Sequence, residues 1–219
     1  MDGSPLYSTA CVYGGPGNNL DDCGNGSSAL GGGSGTAAGA SYEFGDGFAA
    51  AVGYTGAGSA TSGLMTKEGD DAYGAQLSYA ADQYGASVTY GKVETTGNKD
   101  RNYIGLNGYF TPSDVGPVPS LSLGYEIGDA QGLRETTQWF VGLQWDEAGP
   151  GTFGTAVGTV GSYMGPVTNY ADDKFLMYEA FYSYDINDGM TITPLIYTKE
   201  TAVGSEDLTG IMVKKSFSF

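Results

Sequence analysis

From Gly35 to the end of the chain, apolar and polar residues alternate in short runs separated by Gly, Asp, Asn and Ser. A period of two is that of a β-strand, whose successive side chains point to opposite faces. The last run shows it plainly. Counting back from Phe219 in steps of two gives Phe217, Lys215, Val213 and Ile211, while the interleaved set is Ser218, Ser216, Lys214 and Met212. The seventh run is the clearest, with Trp139, Val141, Leu143 and Trp145 on one face and Gln138, Gly142, Gln144 and Asp146 on the other. The eighth is weaker, through Phe153, Val157 and Tyr163. In all, the pattern predicts about eleven strands, each near the length that a tilted strand needs to cross a bilayer.

Aromatics stand at the ends of the apolar faces and aliphatics in the middle. The third strand offers Tyr73, Ala75, Leu77 and Tyr79, the fourth Tyr84, Ala86, Val88 and Tyr90, and the ninth places Tyr178 and Tyr184 toward its two ends. Amphipathic rings at two levels with hydrocarbon between them form the girdle pattern of a transmembrane β-barrel, and Trp139, Trp145, Tyr178 and Tyr184 are its lipid-facing candidates. The expected fold class is therefore all-β, an antiparallel transmembrane β-barrel. A soluble β-sandwich also alternates, but its second face carries many Lys, Glu and Thr; here that face is Gly, Ser, Ala and Gln with isolated acids. No run reaches the roughly 18 apolar residues of a membrane helix.

If the last strand ends in the periplasm, the connections at 45–47, 81–83, 112–118, 147–151 and 187–189 are periplasmic. Those at 57–69, 94–99, 130–134, 164–172 and 200–206 are then extracellular and longer on the whole, as outer-membrane barrels require. An odd number of antiparallel strands cannot close on itself. Either a twelfth strand precedes Cys11, or these strands are the C-terminal part of a larger barrel of about sixteen. Two regions follow: residues 1–34, a Gly/Asp-rich extracellular or constriction loop, and 35–219, the strands. Met1-Asp2-Gly3-Ser4-Pro5 has neither the basic start nor the apolar core of a leader, so a leader has been removed or the sequence is part of a longer one.

Composition narrows the chemistry. The chain has 38 Gly, 17 Tyr and 9 Phe beside 16% charged residues, which describes neither a disordered segment nor a helical bundle. A net charge of −16 with nine basic residues argues against nucleic acid as a partner. Histidine is absent, and with it the commonest general base and metal ligand; no enzyme activity and no cofactor is expected. The Gly31–Gly35 stretch lacks the Lys-Ser/Thr of a phosphate loop. Asp21-Asp22, Asp70-Asp71 and Asp172-Asp173 lack the spacing of a calcium loop and read as solvated charge. Cys11 and Cys23 lie in a Gly/Asn/Asp-rich stretch unlike a metal knuckle. They read as a disulfide made in an oxidising compartment, with two free thiols as the alternative.

By parity the inward face receives Glu43, Gln76, Arg101, Asn107, Glu126, Gln138, Gln144, Glu179, Asp185, Lys199 and Lys214, a surface suited to water and ions rather than to dry packing. Gly85, Ser87, Gly105, Ser122, Gly124 and Gly142 on the same face are too small to fill a lumen and predict an open one.

The terminal strand, with Phe217 and Phe219 on its apolar face, resembles the assembly signal of bacterial outer-membrane β-barrels. That likeness implies the outer membrane, its lipid and the barrel assembly machinery as location and partners. Together with Met190-Thr191-Ile192-Thr193-Pro194-Leu195-Ile196-Tyr197, it is similar to the end of cyanobacterial outer-membrane porins, the iron-uptake group related to carbohydrate-selective porins. Those proteins finish on an Ile-Thr-Pro strand, an acidic loop and a strand with a basic residue before Thr-Thr-Phe-x-Phe. Lys215-Ser216 stands here in place of Thr-Thr, and these 219 residues include neither the family's surface-layer homology domain nor its coiled coil. The resemblance implies passive diffusion of small hydrophilic solutes, inorganic ions or carbohydrates among them, through a channel that can assemble as a homotrimer. Strand parity adds that, in a sixteen-stranded barrel, residues 1–34 join the fifth strand to the sixth, the connection that in general porins folds into the channel, which would set Asp21 and Asp22 beside the constriction. The competing expectation is a surface anchor or adhesion barrel with a closed lumen.

Overall fold

The computed structural model describes residues 10–15, 36–56, 71–94, 100–114, 116–130, 135–159, 175–201 and 206–218. Eleven strands run in chain order: β1 (Thr36–Gly45), β2 (Phe48–Gly56), β3 (Asp71–Ala80), β4 (Tyr84–Val93), β5 (Arg101–Phe110), β6 (Ser120–Ala130), β7 (Thr136–Ala148), β8 (Gly151–Thr159), β9 (Leu176–Asn187), β10 (Met190–Lys199) and β11 (Leu208–Phe217). Each pairs antiparallel with the next in a single sheet ordered β1 to β11. Among the described residues β1 and β11 are not paired with each other, and both run in the same direction.

Short turns close one end of the sheet, except between β5 and β6, where residues 111–119 make the connection. Gly45, Asp46 and Gly47 all have positive φ (89°, 51° and 83°), and a side chain at Gly47 would meet the Ala80 carbonyl, so glycine is required there. In β10 the ladder to β9 skips Thr193 and Pro194. Proline has no N–H to give, and the Ser183 and Thr193 hydroxyls meet at 3.0 Å beside the gap.

One face of the sheet carries the exposed apolar side chains, including Tyr42, Phe44, Val52, Leu77, Val88, Ile104, Leu106, Leu123, Ile196, Val213 and Phe217. Rings meet at both ends of this face. At the turn end Phe48 packs with Tyr79 (4.7 Å), Tyr79 with Tyr84 (5.9 Å) and Trp145 with Phe153 (5.6 Å); at the other end Tyr54 packs with Tyr73 (5.4 Å). The apolar face read from the alternation is the outward face in every described strand.

The face opposite the exposed apolar side chains is the sheet's concave, inward side, where Gln76, Glu126, Gln138 and Glu179 are buried. Residues 10–15 lie across it. Ala10 N–H donates to Ser87 Oγ on β4, and the Tyr13 hydroxyl donates to Glu179 on β9.

The concave face departs from the expected polar, undried wall. Phe140, Ala156 and Met177 form a buried cluster there, joined by Cys11 and Tyr13, and Phe181 and Leu195 are buried on the same face. The small residues are not open space either. In register, Tyr109 faces Gly85, Tyr103 faces Gly128, Phe140 faces Gly124 and Gly158, Phe181 faces Gly154, and Tyr197 faces Gly210. At Gly85, Gly128, Gly154 and Gly210 an added Cβ would run into the opposing ring. Each of these glycines leaves the space that the neighbouring ring occupies, a known use of glycine in sheets.

Candidate functional site

The concave wall is built from the inward-pointing residues of β2 to β10, and two kinds of polar pair line it. Gln76 Nε2 donates to Thr89 Oγ1 at 2.9 Å between β3 and β4, and Gln138 Nε2 donates to Glu126 Oε1 at 2.9 Å between β7 and β6. All four side chains are buried, Glu126 completely. Register alone brings them together, since Gln76 is the partner of Thr89 and Glu126 of Gln138. Asn107, the partner of Ser87, is buried with neither amide atom hydrogen-bonded among the described residues.

The second kind joins the wall to residues 10–15. Ala10 N–H donates to Ser87 Oγ (3.1 Å), Val12 and Tyr13 N–H to Ser122 Oγ (3.0 and 3.1 Å), and Gly14 N–H to Gln144 Oε1 (2.8 Å). The Tyr13 hydroxyl donates to Glu179 Oε1 at 2.7 Å. Its ring stands edge-on to Phe140 (5.3 Å) and Phe181 (5.5 Å). Burial first, then the charge of Glu179 and the bond to it, raise the Tyr13 hydroxyl well above the ordinary phenol range, so it stays a donor. Cys11, beside this cluster, is in a disulfide and carries no free thiol.

The remaining sequence candidates are spread along the wall. Glu43 on β1 and Lys214 on β11 are exposed at the two edge strands, and Arg101 and Lys199 are half-buried at the end opposite the tight turns. Asp185 accepts from Thr191 Oγ1 at 2.5 Å near the turn end. Gln144 also donates through Nε2 to Asp146 at 2.7 Å. Trp139, Trp145, Tyr178 and Tyr184 lie on the outward face, and Phe217 is exposed there. Asp21, Asp22, Cys23, Tyr163 and Phe219 lie outside the described residues. Asp71 corrects the reading of the acidic pairs as solvated charge: it is 1% exposed and accepts from the Tyr54 hydroxyl at 2.8 Å. It starts β3 opposite Gly56, where the absence of a side chain leaves room for that contact.

Sequence reasoning missed Tyr13, Ser87, Ser122, Phe140 and Phe181 as a group. Parity already put Phe140 between Gln138 and Gly142, and Phe181 beside Glu179, on the inward face. Among the described residues no cluster of Cys, Asp and Glu is placed to hold a metal ion. What the arrangement offers is a wall of buried polar pairs and aromatic rings, with acceptors aimed inward and a short segment seated on them.

No curated protein matches the chain. A solved structure of the KdgM porin in complex with disordered oligogalacturonate matches with a TM-score of 0.42 and 12% identity, over 84% of this chain and 91% of that one. The family model described as Gram-negative porin matches residues 6–198, which takes in residues 10–15 and every strand from β1 to β9. The chain belongs to the Gram-negative porins, transport proteins of the outer membrane, and its eleven antiparallel strands with an apolar outward face are the part of that architecture described above.

Proposed function

We propose that the protein is a diffusion channel for small hydrophilic solutes and ions, cation-preferring, whose residues 1–34 fold inward as the constriction loop. The observation that carries this reading is the seating of residues 10–15 on Ser87, Ser122, Gln144 and Glu179, on the concave side of the sheet. A chain segment placed there narrows whatever passes. Carboxylates beside a narrow, partly desolvated passage raise the local cation concentration. In this reading Glu43, Gln76, Arg101, Asn107, Glu126, Gln138, Gln144, Glu179, Asp185, Lys199 and Lys214 belong to the pore wall. A bridge from Cys11 to Cys23 restrains the loop and brings Asp21 and Asp22 to the constriction.

The barrel closes through further strands. β1 and β11 run in the same direction, so antiparallel closure requires an odd number of strands between them, and a barrel of about sixteen supplies five. Trp139, Trp145, Tyr178 and Tyr184 face lipid, and Phe217 with Phe219 forms the signal read by the assembly machinery. The likeness of the last strands to the cyanobacterial iron-uptake group favours inorganic ions as cargo and a homotrimer as the assembly. The test is the reversal potential across a salt gradient for the full-length protein and for Asp21→Asn with Asp22→Asn. A smaller cation preference with the pore retained is expected, and an unchanged reversal potential returns those acids to the surface.

A second reading has its own observation. The packing of Tyr13 between Phe140 and Phe181 is dry, as in a barrel that serves as a surface anchor with a closed lumen. Planar-bilayer recordings separate the two, since an anchor passes no current.

A further inference from the structure

The five hydrogen bonds described between residues 10–15 and the wall run the same way: the segment donates and the wall accepts. The segment thus sits on the wall as a ligand does, and the acceptors it covers are not all alike. Ser87, Ser122 and Gln144 are neutral, whereas Glu179 is a carboxylate, 4% exposed, reached through the Tyr13 hydroxyl. Tyr13 is also the one side chain of the segment wedged between two aromatic rings of the wall. Gly15 lies directly above the pair. A Cβ there would stand 2.5 Å from Tyr13 Cε1 and 2.8 Å from Glu179 Oε1, closer than carbon atoms approach in proteins. Gly142 clears the other side, where a Cβ would come within 2.9 Å of the Tyr13 ring and 2.7 Å of the Phe140 ring.

We propose that Tyr13 is a latch over the pore's selectivity-determining carboxylate, so that release of residues 10–15 widens the passage and uncovers Glu179 in one movement. This rests on the channel reading above and adds to it the residue that sets charge preference in the open state. The physical reason is the placement of the charge. While the phenol donates to it and rings wall it in, Glu179 is screened from solutes in the passage. Once the ring leaves its slot, the carboxylate faces a confined aqueous space, where its field acts on every passing ion. Opening and cation preference are thereby coupled. Because the segment lies outside the strands, variants at Tyr13 and Gly15 leave the sheet's ladder untouched.

Single-channel conductance and reversal potential in planar bilayers, with the full-length protein, test this directly. Tyr13→Ala is expected to raise conductance and to shift the reversal potential toward that of a cation-selective pore. Gly15→Ala, which keeps both partners and forces them apart, is expected to shift both quantities in the same direction. Glu179→Gln added to Tyr13→Ala is expected to keep the raised conductance and abolish the shift in reversal potential. Channels that conduct alike in the parent protein, Tyr13→Ala and Gly15→Ala overturn the latch while leaving the channel reading in place. Raised conductance in Tyr13→Ala with a reversal potential indifferent to Glu179→Gln overturns the role of Glu179. Absence of current from every one of these proteins, once each is shown inserted by its folded migration on unheated gels, overturns the channel reading and the latch with it.

Discussion

The ring of Phe181 on β9 occupies the space over Gly154, its register partner on β8, with Phe181 almost fully buried. No Cβ fits at Gly154 without moving ring atoms that have nowhere to go. Gly154→Val is therefore expected to destabilise the folded protein by about 1–3 kcal/mol, the usual cost of overpacking. Gly108, whose added Cβ would meet only the Gly85 carbonyl at 3.4 Å, is the control; Gly108→Ala should stay within about 0.5 kcal/mol. Denaturant unfolding in lipid vesicles measures both, and equal effects at the two sites remove the structural role given to the space over Gly154.

Why the sequence showed the outward face and hid the inward one follows from these same residues. An outward position reveals itself alone, because on the proposed lipid face Val141 or Leu123 must be apolar whatever stands beside it. A ring over a glycine reveals itself only when the register is known. The pairs Tyr109 with Gly85, Phe181 with Gly154 and Tyr197 with Gly210 span connections that no tight turn fixes. Phe140 and Gly158 do span a tight turn, but a register shift between Trp145 and Ala148 displaces the pairing from a simple count. Read singly, Gly85 and Gly124 suggest empty space; their register partners are Tyr109 and Phe140. Residues 10–15 were harder still, since their acceptors come from four strands far apart in the chain.

The bond from Gln138 to Glu126 carries a second prediction. Removing a donor to a buried carboxylate costs about 1–3 kcal/mol, so Gln138→Leu should lower stability by that order. Replacing both residues together should recover much of the loss, because no carboxylate then remains to be held. Unfolding of the two single variants and the double variant gives the coupling, and strictly additive losses would show that the pair does not act as one.

Val141 lies between Leu123 and Val157 on the outward face. An Arg near the bilayer midplane costs about 2–4 kcal/mol on a barrel's lipid face. Val141→Arg should therefore weaken folding into vesicles by that amount, while Arg at the inward neighbour Gln144 costs much less of this kind. A neutral Val141→Arg would mean that this face meets water or protein.

Alkaline pH should loosen the seat of residues 10–15. Burial and Glu179 raise the Tyr13 hydroxyl in the folded state, whereas in an unfolded or released segment it ionises near pH ~10. The sign follows from proton binding: the seated state holds its proton where the released state has lost it, so the contribution is complete below pH ~10 and declines above it. Protection of the segment from protease should fall with rising pH above that value. Tyr13→Phe, which keeps the ring and cannot ionise, should lack this component, and an identical pH profile in the two proteins would exclude the Tyr13 hydroxyl as its source.

The proposed closure of this sheet into a barrel gives the last prediction. Because β1 and β11 are both odd-numbered strands of one antiparallel sheet, their directions agree, and pairing them directly would make a parallel ladder. A second copy placed beside the first with a common membrane normal has the same difficulty, since its β1 also runs with β11. The remaining antiparallel solution is an odd number of intervening strands. Ser41 lies on the inward side of β1, and Gly210, Met212 and Lys214 lie on the inward side of β11. A disulfide requires Cα atoms within about 7 Å. One intervening strand already sets the edges about 10 Å apart along the wall, and five set them about 29 Å apart. Cysteines at Ser41 and at any one of the three β11 positions, in a background without Cys11 and Cys23, should therefore fail to cross-link on oxidation in membranes. A cross-linker spanning about 10 Å should bridge them if one strand intervenes and fail if five do. Direct disulfide formation in any of the three registers would mean that β1 and β11 are neighbours, and would end the case for further strands between them.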